Sequence, residues 1–404
     1  LTSQINGLGQ AVKNANDGIS IAQTAEGAMQ ASTDILQKMR TLALSSSTGS
    51  LSADDRKSNN DEYQALTSEL TRISQTTTFG GQKLLDGSYG TKAIQVGANA
   101  NETINLSLEN VAASNIGSHQ VKSGTIVPSA TGLAGGDITV TGNGESNSIT
   151  YAAGASAKDI ASKLNGAVGG LTATASTEVK LGVGAATPSN FTLAVGTSGT
   201  VDFVGVTDLA SLADQLKSNS AKLGISVNYD EVNQSLSVKS DSGENLEFSG
   251  ADANAQANIL VGAKDGAGAF ATPAALGAPA LVVNGQVSLD SAKGYSLSDA
   301  GTGVTDVFGS ATIASTKKTI SDSDVTDITN AQNALAVIDK AIGTIDSTRS
   351  NLGATQNRLT TTADNLQNIQ KNSTAARSTI QDVDFASETA ELTKQQTLQS
   401  ASTA

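Results

Sequence analysis

A mostly apolar residue recurs at every seventh position near the carboxyl end of the chain, and this repeat constrains the fold more than any other feature. A seven-residue apolar spacing is typical of a helix that packs lengthwise on another helix. A helix from residue 326 to 380 is about 80 Å long at ~1.5 Å per residue, so it needs a partner that covers its seam. The residues with this spacing are Ala331, Ile338, Ile345, Leu352, Leu359, Leu366, Ser373 and Ile380.

The amino-terminal end carries a second seam with the same period. We predict that the two seams cover each other, although the centre of the chain separates them. A shorter helix is predicted after Ser52, because serine caps helices well and Asp54 and Asp55 would lie in the first turn. The amino-terminal seam contains Ile5, Leu8, Val12, Ala15, Ile19, Ala22, Met29, Leu36, Met39 and Ala43.

The centre of the chain has a different pattern. All four prolines lie between residues 128 and 279, and short alternating apolar runs separated by glycine, serine, threonine and asparagine extend over about 121–320. These features indicate a β-rich region. A hairpin is predicted over residues 92–108, where Ile94 and Ile104 alternate with polar residues on either side of a turn.

Two central segments share a strand–helix–strand pattern with the same spacing of three apolar helix residues. The triplets are Ile160, Ala161 and Leu164 in the first segment, and Leu212, Ala213 and Leu216 in the second.

We therefore predict an α+β multidomain fold. Residues 1–120 plus 321–404 form a discontinuous rod, in which both chain ends pair as long antiparallel, coiled-coil-like helices with the hairpin beside them. Residues 121–200 and 201–320 form two small α+β modules that face outward from the rod.

The composition excludes several kinds of chemistry. The chain has no cysteine and one histidine, His119, so thiolate sites and multi-histidine metal sites are impossible. A net charge of −13 argues against nucleic-acid binding, and no apolar run is long enough for membrane insertion. We predict no enzyme, no cofactor and no metal site, and we expect His119 to be exposed.

One acidic segment needs a separate comparison, because Asp322, Ser323 and Asp324 are similar to the start of a calcium loop. The sixth position is Asp327 where such a loop has glycine, and no glutamate stands at the twelfth. Helix capping, which places carboxylates at a helix amino terminus, is therefore the favoured interpretation.

Several segments at both ends resemble bacterial flagellin and occur in the order found in that family. The resemblance implies a secreted, extracellular structural subunit of the bacterial flagellum that serves motility. Its partners would be further copies of itself, the flagellar export apparatus and a chaperone. The segments that carry the resemblance are residues 14–27, 36–43, 69–73, 77–87 and 382–390.

The family has further helical segments before the position of Leu1 and after that of Ala404. We therefore expect this chain to be a fragment that lacks the terminal polymerisation helices and does not polymerise. Two alternatives stay open: a hook–filament junction protein, and a cell-surface adhesin whose central modules bind a glycan. The residues from Phe79 to Gly87 favour flagellin over the junction protein, and the net charge disfavours an acidic polysaccharide as a ligand.

The resemblance also implies contacts with a Toll-like innate immune receptor. The family's contact motif falls on Gln37, Lys38, Leu42 and Glu62. Lys38 replaces an arginine of the motif, and lysine lacks the planar fork that pairs with a carboxylate through two hydrogen bonds. We expect a weaker receptor contact at this position; the alternative is that these residues serve only as the surface of the rod.

Overall fold

A computed structural model describes the backbone of residues 1–403 and the side chains of residues 1–399. Long helices at both chain ends, with β-sheets between them, confirm the predicted α+β multidomain class. The helices are α1 (Thr2–Ser46), α2 (Ala53–Thr76), α3 (Ala157–Leu164), α4 (Leu209–Ser218), α5 (Ser220–Leu223), α6 (Ala253–Asn258), α7 (Gly303–Phe308) and α8 (Ile328–Thr403), with a 3-10 turn at Ile320–Asp322.

The strands lie mostly in the centre of the chain. They are β1 (Thr78–Phe79), β2 (Gln82–Lys83), β3 (Gly90–Gln95), β4 (Thr103–Leu108), β5 (Gly117–Lys122), β6 (Gly136–Gly142), β7 (Glu145–Tyr151), β8 (Thr172–Val183), β9 (Ser189–Val195), β10 (Thr200–Val206), β11 (Ser226–Asp230), β12 (Ser235–Ser240), β13 (Leu246–Ser249), β14 (Ile259–Ala263), β15 (Ala274–Ala275), β16 (Leu281–Val283), β17 (Gln286–Ser291), β18 (Tyr295–Ser298), β19 (Thr312–Ala314) and β20 (Thr316–Thr319).

The chain divides into two compact units. The helical unit contains Leu1–Leu42, Lys57–Ile116 and the chain from Ile342 onward. The sheet unit contains Ala43–Arg56 and Gly117–Ala341.

In the helical unit, α1 and α8 pack antiparallel. A Cβ added to Gly9 would lie 2.9 Å from Nε2 of Gln370, and one added to Gly18 would lie 3.1 Å from Cδ1 of Leu359. Residues later in α1 therefore contact residues earlier in α8. The predicted pairing of the two seams is confirmed. Its buried members in this unit are Ile5, Leu8, Ala15, Ala22, Met29, Leu36, Met39, Ile345, Leu352, Leu359 and Leu366.

The predicted hairpin is confirmed as β3 and β4, which pair antiparallel with Ile94 opposite Ile104. Ile104 packs in one apolar cluster with Ala15 and Leu359, so the hairpin covers part of the seam. The turn requires a left-handed backbone, which Asn101 supplies at φ 66°. Asparagine adopts this conformation more readily than most residues with a side chain.

The sheet unit contains an eight-stranded sheet and two four-stranded sheets, all with antiparallel neighbours. The main path of the eight-stranded sheet runs β11-β12-β8-β17-β5-β20, with β14 and β15 attached beside β8. The four-stranded sheets run β10-β9-β13-β16 and β19-β18-β6-β7.

Both predicted strand–helix–strand patterns are confirmed, as β7-α3-β8 and β10-α4-β11. Their helices begin with matching caps: the side chains of Ser156 and Asp208 each accept a hydrogen bond from a backbone N–H three residues ahead. All six residues of the two apolar triplets are buried.

The triplets lie in two separate apolar cores. The first core combines residues 121–171 with residues 287–308, and the second uses residues 179–283. The division of the centre at residue 200 stays a prediction.

The aspartates before α8 cap helical turns, in agreement with the predicted helix capping. Asp322 accepts hydrogen bonds from the backbone N and Oγ1 of Thr319, which lower the pKa of its carboxyl. Asp327 accepts from the backbone N of Asn330 at 2.7 Å, in the first turn of α8. Ser52 caps α2 as predicted, through the backbone N of Asp55 at 3.1 Å.

The prediction that His119 is exposed was wrong. This residue is half-buried on β5, opposite Ser291 of β17 and Lys317 of β20. Burial, followed by the nearby charge of Lys317, lowers the pKa of the imidazole. The polar sequence around His119 is typical of a loop. In the structure this segment is β5, an inner strand, because it pairs with β17 on one side and β20 on the other.

The paired seams predict a specific stability effect. Leu359→Ala should lower the free energy of unfolding of the helical unit by about 2–5 kcal/mol, because it removes a fully buried side chain and leaves a cavity. Thr360→Ala, at the exposed neighbouring position, should change it by less than about 0.5 kcal/mol. Urea unfolding followed by circular dichroism at the helix band measures both, and equal effects would contradict the seam assignment.

Candidate assembly surface

A charged residue stands inside the seam of the helical unit. Arg349 occupies an intervening heptad position between Ile345 and Leu352, where the first part of the repeat has apolar residues. Its Nε and Nη2 donate to Oε1 of Glu26 at 3.0 and 2.8 Å, and Nη2 also donates to Oε1 of Gln30. The hydrogen bond to Glu26 raises the pKa of the guanidinium above its ordinary value.

This contact fixes how α1 and α8 align. Glu26 and Gln30 are one helical turn apart, so both reach Arg349 only when the helices stand in this register. The apolar seams alone repeat every seven residues and would tolerate a slide by one heptad. A single polar contact inside a seam is a known means of specifying register.

The seam of α8 changes character after Leu366. Ile380 stands fourteen positions after Leu366 and continues the heptad, yet it is 56% exposed, and Val383, three positions further along the helix, is 61% exposed. Within the described side chains, residues 374–399 include no buried one. This stretch presents an uncovered apolar stripe on a continuous helix.

The heptad repeat predicts that this helix ends near residue 380, which is too early. In the structure α8 continues to Thr403. Phe385 and Leu392, seven residues apart, are 72% and 55% exposed. Their spacing was present in the sequence, but the nearby Asp382 and Asp384 interrupt the apolar pattern and obscure the signal.

The four predicted receptor-contact residues all belong to the helical unit, on two helices. Gln37 and Lys38 are exposed on α1, Leu42 is half-buried on the same helix, and Glu62 is exposed on α2. Lys38 and Leu42 are four positions apart and are therefore neighbours on one helix surface.

The residues that the structure describes contain no group of three or more histidine, cysteine, aspartate or glutamate side chains placed to hold a metal ion. Among the described helices, none combines the length and the hydropathy that crossing a membrane requires. The surfaces exposed to other molecules in the helical unit include the continuation of the seam on α8 and the polar surface of α1 and α2.

Comparisons with known proteins match both ends and the centre of the chain. The family model for the bacterial flagellin N-terminal helical region matches residues 1–90, and that for the C-terminal helical region matches residues 335–404. The flagellin hook IN motif matches residues 137–187 and 190–242, the two segments with the repeated pattern.

Individual relatives cover the whole chain. B-type flagellin of Pseudomonas aeruginosa is 48% identical over 100% of this chain and 86% of the relative. Flagellin A of Vibrio anguillarum is 34% identical over 100% of this chain and 81% of the relative. A solved structure of FliC from Burkholderia pseudomallei has a TM-score of 0.37 at 20% identity, covering 84% of this chain and 99% of that one.

The register contact can be tested with a double-mutant cycle. Glu26→Gln and Arg349→Met should show a coupling free energy of about 0.5–1 kcal/mol, a modest value because both side chains are partly exposed. Asp346, whose carboxylate lies 4.0 Å from Arg349 on the same helix, provides the control. The cycle with Asp346→Asn should give less than about 0.5 kcal/mol, and the reverse order of the two couplings would contradict the proposed role.

Proposed function

Since the chain belongs to the bacterial flagellin family, we propose that the exposed stretch of α8 after Leu366 is the surface through which one copy packs on the helices of others. The chain is a structural subunit of the extracellular bacterial flagellar filament, and self-assembly is the property implied by its relatives. The identity to flagellins over the whole chain favours a filament subunit over a hook–filament junction protein.

The observation that carries this proposal is the exposure of Ile380, which is in register with the buried Leu366, and of Val383 three positions after it. An apolar stripe of this kind is expected to mark an interaction site. Fully burying a large aliphatic side chain contributes about 1.5–3 kcal/mol. Repeated along a helix and between many subunits, such contacts would supply the binding energy of a filament.

We also propose the export apparatus and a chaperone as partners. The same apolar stripe supports a chaperone, because a subunit that carries it at high concentration would associate before export unless it were covered.

For the centre of the chain we keep the predicted modules, 121–200 and 201–320, as a proposal. The two matches to the hook IN motif support a repeated unit there.

The proposed packing surface can be tested in a flagellin-deficient bacterium that expresses this chain joined to the terminal helical segments of a flagellin relative. The double variant Ile380→Ser, Val383→Ser should yield secreted subunits in the medium and few filaments, because the stripe loses its apolar surface. Ser378→Ala, on the exposed surface of the same helix segment, should yield filaments of ordinary length. Electron microscopy and blotting of the medium measure both, and long filaments from the double variant would overturn the proposal.

Recognition by a Toll-like innate immune receptor is a second proposed function. The exposure of Gln37, Lys38 and Glu62 supports it, since a receptor can reach these side chains without unfolding the helical unit. Leu42 is half-buried, so it would contribute a smaller apolar contact.

This second proposal predicts a gain of function. Lys38→Arg should lower the concentration that half-activates reporter cells carrying the receptor by roughly fivefold, because a bidentate pair adds about 1 kcal/mol to one charge contact. Thr41→Arg places a guanidinium at an exposed neighbouring position and should not reproduce the gain. Equal activation by both variants would indicate that a guanidinium anywhere on this surface suffices, and would contradict a specific contact at position 38.

A further inference from the structure

One face of the eight-stranded sheet is polar, although the other covers the apolar cores. Along β8, Val179 and Leu181 are buried in the second core, whereas Glu178 and Lys180 point to the opposite face. The cross-strand partner of Glu178 on that face is Lys239 of β12. Lysine is thus frequent on this face in a chain whose net charge is −13.

Two other lysines of the sheet unit, Lys264 and Lys122, contact the first turns of α8. Nζ of Lys264 donates to Oγ1 of Thr329 at 3.1 Å, and Nζ of Lys122 donates to Oδ1 of Asn333 at 2.9 Å. Thr329 and Asn333 are four positions apart on one helix face. The two ammonium groups therefore bind acceptors on residues whose backbones are about 6 Å apart along the helix axis.

A cavity of 230 Å³ lies between this helix segment and the sheet. Its charged lining consists of three lysines, Lys122, Lys239 and Lys264, and two carboxylates, Glu178 and Asp290. An excess of one positive charge remains at neutral pH. The cavity has space for several water molecules at about 30 Å³ each, and so also for a small polar ligand.

Both carboxylates already have partners. Oε2 of Glu178 lies 3.1 Å from Nζ of Lys264. Oδ1 of Asp290 accepts from Ser118 Oγ and Gln120 Nε2, each at 2.8 Å. Neither carboxylate forms a salt bridge with Lys122 among the described residues, so the negative charges of the lining do not neutralise that ammonium group through direct contact.

Lys122 has unused capacity for hydrogen bonds. An ammonium group has three N–H donors, and within the described part of the chain the bond to Asn333 is the one hydrogen bond found for this side chain. Burial is the largest influence on the pKa of Lys122 and lowers it, and the nearby carboxylate of Asp290 offsets only part of this effect. A negatively charged ligand in the cavity would supply both acceptors and compensating charge.

We propose that this cavity binds a small oxyanion, a phosphate or carboxylate group, held between the ammonium groups of Lys122 and Lys264. Two oxygens of one such group, each about 2.8 Å from a nitrogen, can bridge two ammonium groups whose acceptors on α8 are about one helical turn apart. The source of the group is either free inorganic phosphate or the carboxylate of an acidic sugar. This site is separate from the packing surface on α8 and does not depend on filament assembly.

Isothermal titration calorimetry of the intact chain at low ionic strength tests the site. Inorganic phosphate and sodium glucuronate are titrated separately. Saturable binding of phosphate alone assigns the site to the free ion, and binding of glucuronate alone assigns it to an acidic sugar. Binding of both supports a general oxyanion site, and binding of neither overturns the proposal.

Variants show whether the binding occurs in this cavity. Lys122→Met should weaken binding about tenfold or more, the effect of losing a hydrogen bond to a charged group. Lys180→Met removes a half-buried lysine from the same sheet face but outside the cavity, and should bind as the unmodified chain does. Unchanged affinity in Lys122→Met, or equal losses in both variants, would overturn the assignment.

A further measurement uses the unmodified chain, so its result does not depend on whether the variants fold correctly. The ligand that binds in calorimetry should slow backbone hydrogen exchange in the first turns of α8, because it would tie Lys122 and Lys264 together beneath Thr329 and Asn333. Protection confined to other segments would place the ligand elsewhere and overturn the proposal.

Discussion

Burial of two heptad seams against each other is the interaction on which the helical unit depends. The partners are remote in sequence: Arg349 and Glu26 are 323 positions apart. Such a separation is tolerable because each doubling of loop length costs only about 0.6 kcal/mol of closure entropy. A large insertion between the seams therefore adds little cost once the seams are long enough. Close approach also requires small residues, and Gly18 provides one directly against Leu359.

The elements that could be predicted from the sequence are those whose pattern is local. The heptad of α8, the hairpin around Asn101 and the two strand–helix–strand segments each have a period or a turn that a short stretch of residues reveals. The order of the strands in the sheets could not be predicted, because alternation shows which face a side chain takes and not which strand lies beside it. Strand β8 pairs with β12, β14 and β17, and its residues contact both cores. A repeat in sequence therefore does not imply two independent bodies.

Average properties of the chain were less informative than local ones. The net charge of −13 argues against acidic ligands, yet Lys122 and Lys264 line one cavity on the polar face of the eight-stranded sheet. Alternation along β5 and β17 predicts that such a face exists. It does not predict that the first turns of α8 lie across it, since that contact joins residues about two hundred positions apart. The receptor-contact residues differ in this respect, because a helical period suffices to place Gln37 and Lys38 on an exposed face.

Helix α8 shows why a heptad predicts a face but not what covers it. Near its start, Thr329 and Asn333 accept hydrogen bonds from lysines of the sheet. From Ile345 to Leu366 the repeat is buried, and by Ile380 the same repeat is exposed. The spacing is constant while the environment changes twice, so the environment must come from the partner that each segment finds. The repeat therefore determines which face of α8 is apolar, and the partner that each segment finds determines whether that face is buried.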